Sequence, residues 1–168
     1  PKAGNISGCI SVCAEVNIKA IKTRFEQNWV DEIIDNVDKL CKRVKKAQKE
    51  NDVVSIAYHG NVVTVWEAFL KNDIYVDIGS DQTSLHNPWS GGYYPDDISF
   101  EEANKLIREN PSLFKKKVQE TLVKHVKLIN LHSKKGTYFF DYGNAFLLEA
   151  SRAKAEIINN EGKFKYPS

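Results

Sequence analysis

Residues 74–95 run Ile74-Tyr-Val-Asp-Ile-Gly-Ser-Asp-Gln-Thr-Ser-Leu-His-Asn-Pro-Trp-Ser-Gly-Gly-Tyr-Tyr-Pro95. The apolar part, residues 74–78, predicts a buried strand of a parallel sheet. The polar, glycine-rich part that follows, residues 79–95, lies where open α/β sheets bind ligands, at the carboxyl end of a strand. This stretch therefore predicts an α/β fold with a ligand-binding loop.

Strand and helix patterns alternate along the rest of the chain. Strands are predicted over residues 8–15, 29–34, 53–58, 75–78 and 137–140, and helices over residues 18–28, 37–51, 62–71, 113–132 and 144–155. A further helix is predicted to open at Ser99, because Glu102 three residues later completes a capping box. This alternation predicts one α/β domain with a parallel sheet and helices on both faces.

Composition limits the classes of function. The chain has 168 residues, 42% of them hydrophobic, which is enough for one domain with a core. Its net charge of +2 gives no reason to expect nucleic acid as a partner, so the lysine-rich face of the helix over residues 37–51 is interpreted as a solvated surface. No apolar run approaches the ~20 residues that span a bilayer, so no membrane association is expected.

The cysteines and histidines indicate neither a metal site nor a disulfide framework. Cys9, Cys13 and Cys41 are odd in number and show no CxxC spacing, which fits buried thiols in the cytoplasm. The four histidines are not spaced as metal ligands, and no HExxH motif is present. No metal is therefore expected.

Three long segments together resemble one family. They are residues 79–95, then Val54-Ser-Ile-Ala-Tyr-His-Gly-Asn-Val-Val-Thr-Val-Trp66, then Tyr138-Phe-Phe-Asp-Tyr-Gly-Asn-Ala-Phe-Leu-Leu-Glu-Ala-Ser-Arg-Ala153. The first resembles the signature loop of urocanase, and the other two resemble segments of the same family that contact its cofactor. The resemblance covers essentially the whole chain and implies one Rossmann-like domain over residues 1–168. It implies a hydratase that adds water to urocanate in histidine breakdown, giving 4-imidazolone-5-propanoate, with tightly bound NAD⁺ as an electrophile.

The resemblance also implies a set of cofactor-binding residues. Its members follow the carboxyl ends of predicted strands: Glu15, Asn61, Val62, Gln82, Thr83, Ser84, Leu85, His86, Tyr93, Tyr94 and Tyr142. Glu15 would accept hydrogen bonds from a ribose, as an acid at a strand end does in Rossmann units, although a surface glutamate is the alternative. Residues 82–86 would surround the nicotinamide. Asn61 could instead be a helix N-cap, and Asn144, which is outside this set, is expected to cap the helix that follows it.

The chain departs from the family pattern at both ends. It begins at Pro1-Lys-Ala-Gly-Asn, after the first strand and the glycine-rich turn of the family, and the family's catalytic cysteine lies beyond Ser168. We therefore expect an internal piece of a longer enzyme that contains no catalytic residue and is inactive alone. The family further implies a homodimer.

Two other functions remain open from the residues themselves. One is a conventional NAD-dependent dehydrogenase domain. The parallel sheet and Glu15 are compatible with it, but a loop such as residues 79–95 is not typical of that class. The other is an isolated domain that binds no ligand firmly, because the amides of the glycine-rich turn are missing from it. A catalytic serine–histidine pair at Ser84 and His86 is disfavoured, because two residues in one loop do not make a triad.

Overall fold

A computed structural model describes residues 2–83 and 85–168 of the chain, so Ser84, a predicted cofactor residue, lies outside the described residues. The strands are β1 (Ile10–Glu15), β2 (Glu32–Ile34), β3 (Val54–His59), β4 (Ile78–Asp81) and β5 (Tyr138–Asp141). The helices are α1 (Lys2–Ile6), α2 (Ile18–Glu26), α3 (Val37–Glu50), α4 (Val62–Lys71), α5 (Phe100–Glu109), α6 (Pro111–Lys134) and α7 (Phe146–Arg152). They form two compact units, Pro1–Ile74 and Tyr75–Ser168.

The first unit contains a three-stranded parallel sheet in the order β1-β3-β2. The central strand β3 is buried from Val54 to Tyr58, as expected for a parallel strand that is covered on both faces. Ala57 of this strand forms a small buried cluster with Ile21 and Val30. Pairing of Glu15 with His59 places the carboxyl ends of β1 and β3 at the same edge of the sheet.

Helix α3 shows how the hydrophobic pattern fixes the packing in this unit. Its buried side chains recur at helical spacing, at Leu40, Cys41, Val44 and Ala47, as the sequence predicts. On its other side, Arg43 donates to both carboxylate oxygens of Glu32 in β2 at 2.9 and 3.0 Å. The basic helix face is therefore joined to the sheet by at least one ion pair.

The second unit contains a two-stranded parallel sheet of β4 and β5 and the long helix α6. Side chains of α6 at Phe114, Val118 and Leu122 are fully buried. Along both strands the burial alternates, so Gly79 and Asp81 of β4 lie on the buried face with Phe139 and Asp141 of β5. Two acidic side chains thus point into the protein at the ends of adjacent strands.

The main predictions about the fold are confirmed. Strands and helices alternate, the strands pair in parallel, and helix α4 has the predicted bounds, although the strands form two sheets where the sequence predicts one. The capping box is present, since Ser99 Oγ accepts from Glu102 N at 3.2 Å and Glu102 Oε2 accepts from Ser99 N at 2.9 Å. Within the described ranges, no helix has both the length and the apolar character needed to cross a membrane.

The predicted strand over residues 74–78 is wrong. Asp73 adopts a left-handed conformation (φ 51°) after α4, and Ile74 N then donates to Phe69 O at 2.9 Å. This is the bond of a helix-terminating Schellman motif, so the buried Ile74 belongs to the end of α4. The strand begins four residues later, at Ile78, which pairs with Tyr138.

The start of the last helix also differs from the prediction. Helix α7 begins at Phe146, and its N-cap position is Ala145 (φ 67°), which makes no side-chain capping bond. Asn144 therefore does not cap it, because its amide is bonded to the loop after β4 instead. The sequence pattern did not predict the five-residue helix α1.

Candidate functional site

The first group of predicted site residues lies at the carboxyl edge of the sheet in the first unit. Glu15 ends β1, and its main-chain oxygen accepts from Gly60 N at 3.0 Å. Its side-chain Oε1 accepts from Asn17 N at 2.8 Å. A carboxylate offers about four acceptor positions, so this one bond leaves Glu15 able to accept hydroxyl donors from a ligand.

The turn that follows β3 starts helix α4. Asn61 is the N-cap of α4, and its Oδ1 accepts from Val63 N at 3.0 Å, while Val62 is the first helical residue. His59 Nε2 lies 3.3 Å from Val16 O, and since a carbonyl only accepts, this nitrogen carries the proton. The prediction that Asn61 is a helix N-cap is confirmed. A contact between its remaining polar groups and a cofactor stays a prediction.

Gly60 is required by a close approach of the Tyr58 ring. A Cβ at this position would lie 2.5 Å from Cε1 and 2.9 Å from Cζ of Tyr58. Tyr58 is itself buried, at 6% exposure, so the ring cannot simply turn into solvent. The glycine lets the turn pass over a core aromatic side chain, which is a structural reason for it that is independent of any ligand.

The second group is built on Asp81 and Asp141, which end β4 and β5 and are partners in the strand register. Both side chains are 4% exposed. Asp81 accepts from Thr83 N at 3.0 Å and from Thr83 Oγ1 at 2.9 Å. Asp141 accepts from Asn144 N and Leu147 N, each at 3.3 Å. Each carboxyl group therefore organises the loop that follows its own strand.

These two loops are also bonded to one another. Asn144 Nδ2 donates to Gln82 O at 3.2 Å, and Leu85 N donates to Asn144 O at 3.0 Å. Tyr142 N donates to Asp81 O at 3.3 Å. The Leu85 side chain is completely buried, whereas the side chains of Gln82 and His86 are exposed. Main-chain groups of Gln82, Thr83 and Leu85 are thus hydrogen-bonded, while the polar side chains of Gln82 and His86 face solvent.

The three predicted tyrosines differ in their surroundings. Tyr93 is buried, and its hydroxyl is 2.9 Å from Nδ1 of His125. The hydroxyl of Tyr94 donates to Asn104 Oδ1 at 3.0 Å. Tyr142 is 64% exposed. Of the three, Tyr142 offers its ring and hydroxyl to a ligand most directly, while the hydroxyls of Tyr93 and Tyr94 are already engaged inside the protein.

Burial shifts the pKa of two groups in the second unit. Removal from water raises the pKa of Asp81 to about 7, with the Asp141 charge acting in the same direction and the two Thr83 hydrogen bonds opposing it. Burial lowers the pKa of His125 to about 3, against the charge of Asp96. His125 is therefore neutral at pH 7, and its Nε2 has no hydrogen-bond partner in the described part of the chain.

Sequence reasoning did not single out Asp81, Asp141, Asn144 or His125 as members of this site. A signal for the two acids was present, because each ends a strand just as Glu15 does. The contact between the loops after β4 and β5 could not be predicted from the sequence, since it depends on which strands pair.

Two surface pockets of the second unit do not include the loops after β4 and β5. They have volumes of about 280 and 380 Å³, both border Asn130, Lys134 and Glu156, and their lining includes none of the predicted site residues. Among residues 2–83 and 85–168, no group of three His, Cys, Asp or Glu side chains is arranged to hold a metal ion.

Comparison with known proteins decides the family. Residues 1–168 match the urocanase family, in the part described as the urocanase Rossmann-like domain. The chain belongs to the urocanase family. It is 54% identical to a probable urocanate hydratase of Dictyostelium discoideum over 99% of its length, and 47% and 46% identical to the urocanate hydratases of Mus musculus and Homo sapiens over the same share.

The match covers only part of each urocanase relative. The chain spans about a quarter of their length: 25% of the Dictyostelium discoideum protein and 26% of each mammalian one. The family assignment therefore applies to the Rossmann-like part, and the activity of the whole protein is a separate inference.

Proposed function

We propose that this chain is part of a urocanate hydratase, which adds water to urocanate to give 4-imidazolone-5-propanoate, and that it supplies much of the NAD⁺ site. Membership of the urocanase family supports this proposal. The structural observation that carries it is the joined pair of loops after β4 and β5. They expose the side chains of Gln82, His86 and Tyr142 above the buried acids Asp81 and Asp141.

The residues present fit this cofactor chemically. The amide of Gln82, the imidazole of His86 and the hydroxyl of Tyr142 can donate and accept, as a carboxamide and a diphosphate require. In the other unit, the Glu15 carboxylate can accept from ribose hydroxyls, and Asn61 and Val62 lie at the N-terminus of α4. When bound, NAD⁺ would supply an electrophilic ring to the substrate's imidazole.

The chain's own residues would bind and orient in this reaction. None of them is assigned a chemical step. Because the chain spans only about a quarter of the length of its relatives, residues 1–168 alone should be inactive. We further infer a cytoplasmic homodimer, with urocanate as substrate and without nucleic-acid or membrane partners. The free state of Cys9, Cys13 and Cys41 supports a reducing compartment.

The test is an assay of the full-length protein that contains this chain. Urocanate should be consumed and 4-imidazolone-5-propanoate should form, with no net reduction of NAD⁺. A panel of alcohols and 2-hydroxy acids serves as the control. Steady NADH formation on that panel, together with no loss of urocanate, would instead identify a conventional dehydrogenase and overturn the proposal.

A further inference from the structure

The loop after β4 is held by hydrogen bonds to its main chain. We use "cofactor loop" for the described residues Gln82, Thr83, Leu85 and His86. Asp81 accepts from Thr83 N and Oγ1, and the buried Leu85 side chain anchors the far end. The exposed side chains of Gln82 and His86 flank these anchors, so their positions depend on how firmly the main chain is fixed.

One residue outside the cofactor loop bonds to it at two points. The side-chain amide of Asn144 donates to Gln82 O at 3.2 Å, and the main-chain oxygen of Asn144 accepts from Leu85 N at 3.0 Å. The atom that faces Gln82 O must be the nitrogen, because a carbonyl oxygen can only accept. Asn144 is held in turn by its own N–H, which donates to Asp141 Oδ1 at 3.3 Å.

We propose that Asn144 is a positioning residue, whose side-chain amide fixes Gln82 for the cofactor. This inference rests on the proposed function. Its physical basis is preorganisation: a loop that is already ordered loses less entropy on binding, and a displaced contact weakens both binding and orientation. Asn144 also lies two residues from Tyr142, so one segment orders the cofactor loop and presents a second predicted contact.

A positioning role predicts a particular pattern of loss. The bond from Asn144 to Gln82 is at the surface, where water can replace the missing partner, so the apo protein should lose little stability without it. The binding of NAD⁺ should be weakened far more than the stability of the apo protein. In the full-length protein, Asn144→Ala should release NAD⁺ roughly tenfold faster, the effect of one lost positioning bond. It should also lower kcat, while KM for urocanate changes by less than about twofold.

Asn130→Ala is a matched control. Asn130 Nδ2 donates to a main-chain oxygen of the same unit, that of Glu156, at 3.0 Å, and its Oδ1 accepts from Tyr166 at 2.6 Å. This control should lower the melting temperature of the apo protein at least as much as Asn144→Ala and leave NAD⁺ release unchanged.

The measurements are NAD⁺ release rates, steady-state kinetics and apo melting temperatures of the wild type and both variants. Unchanged NAD⁺ release and kcat in Asn144→Ala, with wild type holding NAD⁺, would overturn the positioning role alone. Equal acceleration of release in both variants would also overturn it, since the effect would then be general destabilisation. A wild-type protein that holds no NAD⁺ would contradict the proposed function itself.

Discussion

Asp81 and Asp141 lie opposite each other at the carboxyl ends of two paired parallel strands, and both carboxyl groups are buried. Neither acid faces solvent, yet each holds the loop after its strand, Asp81 through Thr83 and Asp141 through Asn144. Burial, and to a smaller extent the charge of Asp141, raises the pKa of Asp81 and so favours a proton on Asp81. The charge of the Asp81 carboxyl group, which holds the loop after β4, therefore depends on pH.

Asp81 should make the stability of the protein depend on pH. Its pKa is about 7 when folded, against an ordinary value of 3.8. Between pH 3.8 and pH 7 the folded state therefore binds more protons than the unfolded state. The contribution of Asp81 to the free energy of unfolding is fully present below pH 3.8 and is lost as the pH rises through 7. The loss amounts to roughly 4 kcal/mol for such a difference.

Asp81→Asn should flatten this dependence, because the amide keeps an acceptor for Thr83 N and carries no charge. Thermal melts between pH 4 and 8 measure it, with Asp77→Asn, an exposed acid of the same unit, as the control. Equal pH slopes in wild type and Asp81→Asn would show that Asp81 does not titrate in this window.

Truncation of His86 should weaken NAD⁺ binding, whereas truncation of Leu85 should destabilise the fold. In the full-length protein, His86→Ala should loosen NAD⁺ and cut activity while the apo melting temperature stays nearly unchanged, because His86 is exposed. Leu85 is fully buried, so Leu85→Ala should cost ~2–5 kcal/mol with or without cofactor. Melts of the apo and NAD⁺-bound variants measure both effects. An equal loss in the two forms of His86→Ala would mean that His86 has only a structural role.

Tyr93 and Tyr142 provide a second contrast. Tyr93→Phe removes the hydroxyl beside Nδ1 of His125 and leaves a buried nitrogen unpaired, at a cost of about 1–3 kcal/mol. Tyr142→Phe removes an exposed hydroxyl, so stability should hold and NAD⁺ affinity should fall. Denaturant unfolding and NAD⁺ titration of the full-length variants distinguish the roles. The assignment of Tyr142 fails if its variant binds NAD⁺ as tightly as wild type.

Gly60 should be intolerant of a side chain because of Tyr58. Gly60→Ala places a Cβ 2.5 Å from the Tyr58 ring and should destabilise the protein by about 1–3 kcal/mol. The same substitution should cost clearly less in a Tyr58→Leu background, where the ring atoms are gone. A double-mutant cycle measured by denaturant unfolding tests this coupling. Additive costs would show that the ring is not the obstacle.

Local rules predicted much of this fold. Helix α4, the buried stripe of α3 and the capping box of Ser99 each follow from residues within one helix. The strand over residues 74–78 was misplaced because apolar composition alone does not distinguish a strand from a buried helix terminus. Here the left-handed Asp73 and the bond from Ile74 to Phe69 end α4 instead.

The candidate site was less predictable than the fold. Glu15 and residues 82–86 could be selected because they follow strand patterns, and the family resemblance extended the set. Which tyrosine is buried could not be predicted from the sequence, since the burial of Tyr93 depends on tertiary packing, which includes the stacking of its ring against His125. The role of Asn144 was likewise hidden, because its partners lie about 60 residues earlier in the chain.

The most direct test of the central claim is mass spectrometry of the full-length protein, purified without added cofactor and then gently denatured. The account predicts that NAD⁺ is released in an amount close to that of the chain, and that the same preparation hydrates urocanate before denaturation. A preparation that hydrates urocanate at full rate yet releases no NAD⁺ would contradict the account.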